Sequence, residues 1–198
     1  MATTSSSSPA IERGLDSMLL VYSLLEGHPA SSECAQFIAS RSGWFTSVLT
    51  ILEAKAILTK VYGVDAQQAS QKLAQVAAAP VVIVELHAAS ALAALQMADS
   101  LGVDLTDAVL LHTAQTHRAK AIATDDLRLS QLCGQVGLAI ESPIDAVLRQ
   151  QIAAWEVAHL PPKGLQRVLR RVHAWLNQSH AQAARDFWSH TGGGSHLP

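Results

Sequence analysis

Residues 105–126 of the chain read LTDAVLLHTAQTHRAKAIATDD, and this stretch decides the fold class. Its first part, Leu105 to Arg118, repeats apolar side chains at the spacing of a helix that buries one face. Its second part, Ala119 to Thr124, is a short apolar run that predicts a strand, and two aspartates follow it. A helix that leads into a buried strand is the unit from which parallel sheets are built. We therefore predict an α/β fold.

The same alternation extends outward from this stretch in both directions. The run Val81-Val82-Ile83-Val84 is the clearest strand signal, and we expect that strand to be buried and parallel. The segment that ends at Leu15 is polar, so only its last residues should enter the sheet. Further strands are expected at 43–46 and 138–141, with helices at 18–25, 32–41, 47–62, 65–79, 88–101 and 127–136. The whole pattern indicates a central parallel sheet wrapped by helices.

The pattern changes after Pro143, where strand signals stop. One helical stretch is expected at 145–159, Pro161-Pro162 breaks it, and a second runs from 164 to about 188. An amphipathic helical hairpin is the simplest interpretation. We thus predict a helical extension at 145–190. The Ser-rich residues 1–10 and the Gly-rich residues 191–198 are predicted to be a disordered and a flexible tail.

Charge is unevenly distributed along the 198 residues, although the net charge is only -2. Residues 1–144 contain 8 Lys and Arg against 13 Asp and Glu, whereas residues 145–198 contain 6 against 3. This balance excludes a strongly basic nucleic-acid binder and fits either ordinary variation or an acidic catalytic body with a basic arm. In the second case Arg167, Arg170 and Arg171 would bind the phosphates of a polyanion, and otherwise they form a solvated helix face.

Several classes of protein lack support in the sequence. The two cysteines, Cys34 and Cys133, are far apart and fit core positions in a reducing compartment. None of the 9 histidines has the spacing of a zinc site, and nucleophile-elbow, Walker and dinucleotide-binding motifs do not occur. No apolar run reaches the roughly 20 residues that a membrane helix needs. A cytoplasmic protein without a membrane segment is expected.

Four acidic side chains interrupt apolar surroundings, and these carry the candidate chemistry. Asp16 follows the first strand, Glu53 lies within a largely apolar helix, Asp107 opens a helix, and Asp126 follows a strand. Three of them have an ordinary explanation: helix capping for Asp16, a pair with Lys55 or Lys60 for Glu53, and a capping box formed with Asp104 for Asp107.

Taken together, the four acids favour a metal site. Parallel strands direct their following residues to one edge of the sheet, and carboxylates that converge there repel each other unless a cation lies among them. Oxygen-only ligands suit Mg²⁺ or Mn²⁺, and such ions promote displacement at phosphorus. Hydrolysis of a phosphodiester is the natural reaction.

The four acidic segments, 15–17, 53, 105–108 and 123–126, resemble the signature acids of PIN-domain nucleases, many of which are VapC-type toxins. The resemblance covers roughly residues 11–144. It implies a three-layer α/β/α domain that cleaves RNA with Mg²⁺ or Mn²⁺. By this likeness Asp16 and Asp107 would bind metal, Glu53 would bind metal or position water, and Thr124 and Asp126 would complete the water network.

The resemblance also implies further candidates and partners. Ser17 and Asp104 are lesser site candidates, and either Asp125 or Asp126 could face the site. A toxin of this kind would have a cognate antitoxin protein and would form a homodimer. The helical extension departs from the compact toxin pattern, which leaves open a stand-alone RNA-processing nuclease. An idle PIN-like binding module for RNA or protein and a metal-dependent phosphatase are left open as well.

Overall fold

The computed structural model describes residues 11–77, 81–160 and 165–190. Within them the strands are β1 (Arg13–Leu15), β2 (Trp44–Ser47), β3 (Val81–Val84), β4 (Ala121–Ala123) and β5 (Ala139–Glu141). The helices are α1 (Ser17–Leu24), α2 (Ser31–Ala39), α3 (Val48–Lys60), α4 (Ala66–Ala77), α5 (Ala88–Leu101), α6 (Leu105–Thr116), α7 (Leu127–Gln135), α8 (Ala146–His159), α9 (Leu165–Ser179) and α10 (Ala181–His190). The predicted tails at 1–10 and 191–198 lie outside the described residues.

The five strands form one parallel sheet in the order β3-β2-β1-β4-β5. The predicted central parallel sheet is confirmed, and β1 begins only at Arg13, as its polar start indicated. The expectation that β3 is buried is wrong in part, because β3 lies at the edge of the sheet and only Val81 is buried. An apolar run of this length predicts a strand but does not fix its place in the sheet.

Helices cover both faces of the sheet and give three layers. On one face, α6 and α7 pack on the strands through a core that includes Phe45, Leu110, Ile122 and Leu129. On the other face, residues of α1, α2 and α4 lie beside Leu15 of β1. The α/β/α architecture predicted from the resemblance is therefore confirmed.

Gly14, in the middle of β1, allows α6 to approach the sheet closely. A Cβ atom at this position would lie 3.0 Å from Cζ of Phe45, 3.2 Å from Cγ1 of Ile122 and 3.3 Å from Cδ1 of Leu110. Such contacts are tighter than most Cβ contacts, so a side chain here would force its neighbours to shift, and glycine avoids this despite its general weakness in strands. The close packing places the start of α6 near the end of β1.

Three strands lead directly into helices at one edge of the sheet. β1 ends before Asp16, β2 ends at Ser47 and β4 ends before Thr124. The residue before α1, α3 or α7 is in each case an N-cap whose side chain accepts backbone N–H groups, namely Asp16, Ser47 and Asp126. Polar side chains therefore gather at the carboxyl edge, where α/β sheets bind their ligands.

The chain divides into two compact units, Met1–Gln150 and Gln151–Pro198. In the second unit, the single helix expected at 164–188 is wrong, because α9 and α10 are separated at His180. The backbone hydrogen bonds continue around the break: the N–H of His180 donates to Leu176 O, and the N–H of Ala184 donates to His180 O. No proline or glycine marks the break. The predicted break at Pro161-Pro162 lies outside the described residues.

Helices α9 and α10 of the second unit pack against each other. The ring of His173 in α9 lies 4.7 Å from that of Trp188 in α10, measured between centroids. The hairpin predicted between 145–159 and 164–188 is a different arrangement, because α9 and α10 both lie within the second of these stretches. Over the described ranges, none of the helices is both long and apolar enough to cross a membrane.

Candidate active site at the carboxyl edge of the sheet

Asp16 is fixed where β1 and β4 end side by side. Its backbone N–H donates to Ala123 O over 3.1 Å, which continues the ladder between the two strands. Its carboxylate is buried and accepts hydrogen bonds on both oxygens: Oδ2 from the Thr124 hydroxyl at 2.8 Å, and Oδ1 from the backbone N–H and the hydroxyl of Ser17. Asp16 is thus both a helix cap and a rigidly held acid.

Thr124 connects Asp16 with the loop that follows β4. Its hydroxyl donates to Asp16 and accepts the backbone N–H of Asp126 over 2.9 Å. One buried hydroxyl therefore sets the position of two acidic residues that are 110 positions apart in the chain. Both hydrogen-bonding capacities of the hydroxyl are used, so its orientation is determined.

The two aspartates after Thr124 point in different directions. Asp126 caps α7, with Oδ1 accepting from the N–H groups of Arg128 and Leu129, and its charge acts on Asp107. Asp125 instead forms an ion pair with Arg149, and its charge acts on Cys34 in α2. Of Asp125 and Asp126, it is Asp126 that lies on the side of Asp16 and Asp107.

Asp107 lies in the first turn of α6, and its carboxyl group is surrounded by like charges. Burial raises its pKa to about 7, and the charges of Asp16, Asp126, Glu53 and Asp104 add to that increase. Burial likewise raises the pKa of Asp16 to about 6 against the opposing hydrogen bonds from Thr124 and Ser17, with a further contribution from Glu53. Each of these acids lies within electrostatic reach of its neighbours.

The structural explanations for the acids, namely helix capping, a capping box and pairs with lysine, hold at some of these residues and not at others. Helix capping is observed at Asp16, but it does not exclude a second role, because Thr124 holds the second oxygen. Asp104 occupies the N-cap position of α6 without any hydrogen bond from its side chain to the helix, so the expected capping box does not form. Within the described residues, Glu53 forms no ion pair with Lys55 or Lys60.

The donor chemistry of this acidic group, defined as Asp16, Glu53, Asp107 and Asp126, fits a hard divalent cation. All four supply carboxylate oxygens, which Mg²⁺ and Mn²⁺ prefer over sulfur or imidazole. Across the described ranges, no three His, Cys, Asp or Glu side chains are close enough to form a closed ligand set. Backbone amides and hydroxyls donate hydrogen bonds to carboxylate oxygens of Asp16 and Asp126.

Two arginines near the site had no signal in the sequence. Arg128 donates through Nη2 to Gly102 O, and this contact links the start of α7 to the turn before α6. Arg149 pairs with Asp125 from α8, which begins after the last strand. Each arginine is more than 20 positions from its partner, so only the fold brings the pairs together.

The chain matches one family model and several solved structures. The model of the PIN domain matches residues 15–135. The crystal structure of VapC20 from Mycobacterium tuberculosis, a toxin that cleaves the sarcin-ricin loop, is similar with a TM-score of 0.53 and 15% identity, over 61% of this chain and 95% of VapC20. PAE2754 from Pyrobaculum aerophilum is similar with a TM-score of 0.50 and 21% identity, over 72% and 96% of the respective chains.

The structural similarities concern the fold, because the sequence identities are low. The match to the family model is different in kind, since it spans more than half of the chain and includes Asp16, Glu53, Asp107 and Asp126. A comparison with curated protein sequences gave no match.

Proposed function

This chain belongs to the PIN-domain family, and we propose that it is a divalent-metal-dependent endoribonuclease that hydrolyses RNA phosphodiester bonds. The observation that carries the proposal is the acidic group at the carboxyl edge of the sheet, in which burial and like charge act together on Asp16 and Asp107. A domain that needed only stability has little reason to gather carboxylates in this way.

In the proposed mechanism, Asp16, Glu53, Asp107 and Asp126 hold Mg²⁺ or Mn²⁺, with Asp104 as an additional contributor at the rim. An ion held there would supply Lewis acidity towards the phosphoryl group and would lower the pKa of water. Thr124 keeps Asp16 and the Asp126 backbone in fixed positions through its hydroxyl. Glu53 is half-buried on α3 and pairs with neither lysine of its helix, so it is suited to orient the attacking water.

The cellular role that fits best is that of a VapC-like toxin held in check by a cognate antitoxin protein in the cytoplasm. The fold supports this role, because the similar VapC20 is a toxin. A stand-alone RNA-processing nuclease is the alternative, and the second compact unit at Gln151–Pro198 favours it. Toxicity on expression, relieved by the protein of a neighbouring gene, would distinguish the toxin from the processing enzyme.

We further propose a homodimer formed through α3 and α5. These helices meet where Leu49 packs against a small core that contains Ala94. They also expose large apolar side chains: Leu52 is 59% exposed, Leu92 63% and Leu95 46%. Light scattering of the wild type and of a Leu92→Glu, Leu95→Glu double variant would test this. A wild-type protein that is monomeric at micromolar concentration would contradict it.

The basic helix α9 is proposed to bind RNA phosphates through Arg167, Arg170 and Arg171. Arg171 is exposed, and the side chains of Arg167 and Arg170 lie outside the described residues. Phosphate contacts add affinity that falls as salt increases. Replacing all three arginines with glutamine should raise the KM for RNA and reduce its dependence on salt, with kcat little changed.

The direct test of the nuclease is cleavage of a panel of structured and single-stranded RNAs. Wild type and Asp107→Asn are compared with Mg²⁺, with Mn²⁺ and with EDTA. Cuts that require metal and are lost in the variant support the proposal. Intact RNA under all conditions from a folded protein would contradict it, and turnover of p-nitrophenyl phosphate would then indicate the phosphatase. RNA binding without cleavage would indicate the idle module.

A further inference from the structure

Arg149 holds the loop after β4 from a helix that lies beyond the last strand. Its guanidinium forms an ion pair with the Asp125 carboxylate, and its Nη1 also donates to the backbone oxygen of Asp125 over 3.3 Å. Asp145 stabilises the start of the same helix by accepting the N–H of Leu148 at 2.8 Å. Side chain and main chain of one loop residue are therefore held by one rigid fork.

The residue held by Arg149 lies between two residues of the proposed site. Thr124, which precedes Asp125, donates a hydrogen bond to Asp16. Asp126, which follows Asp125, carries a charge that raises the pKa of Asp107. The backbone at Asp126 is extended, with φ -76° and ψ 119°. Successive side chains of an extended segment point to opposite sides. Holding Asp125 on the side of α2 consequently directs Asp126 to the side of α6.

The environment of Asp125 explains why a counter-charge is needed. Its side chain is only 13% exposed, and burial raises its pKa while Arg149 opposes that rise. A carboxylate in such a place without a partner must recover water, and the simplest way is rotation of the loop outward. Arg149 itself is 41% exposed, so we expect the pair to add little to global stability.

We propose that Arg149 is a positioning residue for the nuclease site: by holding Asp125 it keeps Thr124 and Asp126 directed at Asp16 and Asp107. The proposal rests on the nuclease function proposed above. It assigns the first turn of the helical extension to the catalytic unit, in agreement with the compact unit Met1–Gln150.

The kinetic test compares Arg149→Ala with Gln150→Ala, an exposed neighbour in the same helix. We expect Arg149→Ala to lower kcat by about 10- to 100-fold with little change in KM, as is found when a group behind a metal ligand is removed. Gln150→Ala should cleave like the wild type. A rise in KM alone would overturn the proposal, because Arg149 would then contact RNA directly.

A double-variant cycle sharpens the assignment to Asp125. Once Asp125→Asn has removed the buried charge, a further Arg149→Ala change should have at most about a twofold effect on kcat. Arg149→Lys keeps the charge but not the fork, and its kcat should lie between those of the wild type and Arg149→Ala. Independent, multiplicative losses from Asp125→Asn and Arg149→Ala would contradict the proposal.

A readout that needs no activity separates this proposal from the nuclease itself. The N–H of Asp126 donates to the Thr124 hydroxyl, and the N–H of Leu129 donates to the Asp126 carboxylate. The hydrogen exchange of both amides can be followed by NMR. In Arg149→Ala both should exchange at least about 10-fold faster, while the Ala69 amide of α4 keeps its rate. Faster exchange in a protein that cuts no RNA would refute the nuclease only. Unchanged exchange at both amides would refute the positioning role.

Discussion

The two ends of β1 carry charge in opposite arrangements. Near its start, each acid has a basic partner: Glu12 pairs with Lys120 at 2.8 Å, and Arg13 pairs with Glu141 at 3.0 Å. Beyond its end, Asp16 lies among acids. Accordingly, Lys120 lowers the pKa of Glu12, whereas burial and neighbouring acids raise the pKa of Asp107 to about 7.

The difference separates a stabilising arrangement of charges from the one that we propose to be functional. The charged side chains at the start connect β1 to β4, to β5 and to the segment after α2. This paired-charge cluster consists of Glu12, Arg13, Arg41, Lys120 and Glu141. Their pairing favours the folded chain. The acidic group beyond the end of β1 opposes folding through burial and repulsion, and such groups are kept where chemistry requires them.

The largest effect is expected from Asp16→Asn, which removes a charge but keeps the shape and a residue that caps helices well. RNA cleavage should fall by more than about 100-fold, since even residues behind a ligand cost up to that much. The free energy of unfolding at pH 7 should be maintained, because the raised pKa of Asp16 makes its charged form unfavourable in the folded protein.

The matched control for this change is Asp65→Asn. Asp65 caps α4 through the N–H groups of Gln67 and Gln68 and is exposed on another helix. Both variants are assayed for cleavage and for urea denaturation. Equal losses of activity in the two would remove the contrast between the ends of β1.

A smaller effect on activity but a large one on stability is expected from Gly14→Ala, between the two ends. The added Cβ meets Phe45, Ile122 and Leu110 at 3.0 to 3.3 Å, so overpacking should cost about 1–3 kcal/mol in urea denaturation. Gly134→Ala is the control, since a Cβ there meets nothing within 4 Å. If Gly14→Ala is no less stable than that control, α6 is free to move away from β1.

Arg13→Met should affect stability alone. It removes the ion pairs of Arg13 with Glu141 and Glu12 but retains the aliphatic stem. We expect a loss of about 1 kcal/mol, decreasing at high salt, because the side chains are partly exposed. The kcat for RNA should stay within about twofold of the wild type, as no step of catalysis uses this cluster. A large drop in kcat would mean that the two ends are coupled.

The smallest effect on stability is expected from Lys120→Ala, and it should be visible in the pH dependence of unfolding. Removing Lys120 should return the pKa of Glu12 towards its ordinary value of 4.5, measurable by NMR titration of the carboxyl carbon. Since an acid with a lowered pKa stabilises the fold above its unfolded pKa, the wild type should exceed the variant at pH 7. The difference should shrink as the pH falls below the unfolded pKa and vanish once Glu12 is protonated in both the folded and the unfolded state. An unchanged pKa would contradict the pairing.

Much of the fold could be predicted from local pattern. The order of strands and helices was predicted from the alternation of apolar runs. Asp16 was predicted from its place directly after β1, and Asp126 from its place three residues after β4. The edge position of β3 could not be predicted, because strand order depends on which crossovers the chain makes. The break at His180 could not be predicted, because neither proline nor glycine marks it. The backbone hydrogen bonds continue around it, as they would in a continuous helix.

The residues of the candidate site could be predicted from the sequence, but the orientations of their side chains could not. Asp125 and Asp126 are identical in type, and only the ion pair with Arg149, 24 positions away, separates their roles. The failure of Asp104 to cap α6 is likewise a matter of side-chain rotamer. Such choices are made by tertiary contacts, which a single sequence does not display.

The contact between Thr124 and Asp16 spans 108 positions of the chain, and this separation has a consequence for synthesis. Thr124 and Asp126 are synthesised more than 100 residues after Asp16, so the acidic group is incomplete until both have left the ribosome. Long-range parallel pairing is also slow to form. The acidic group of a nascent chain therefore forms only after residues 124–126 have emerged and β4 has paired with β1.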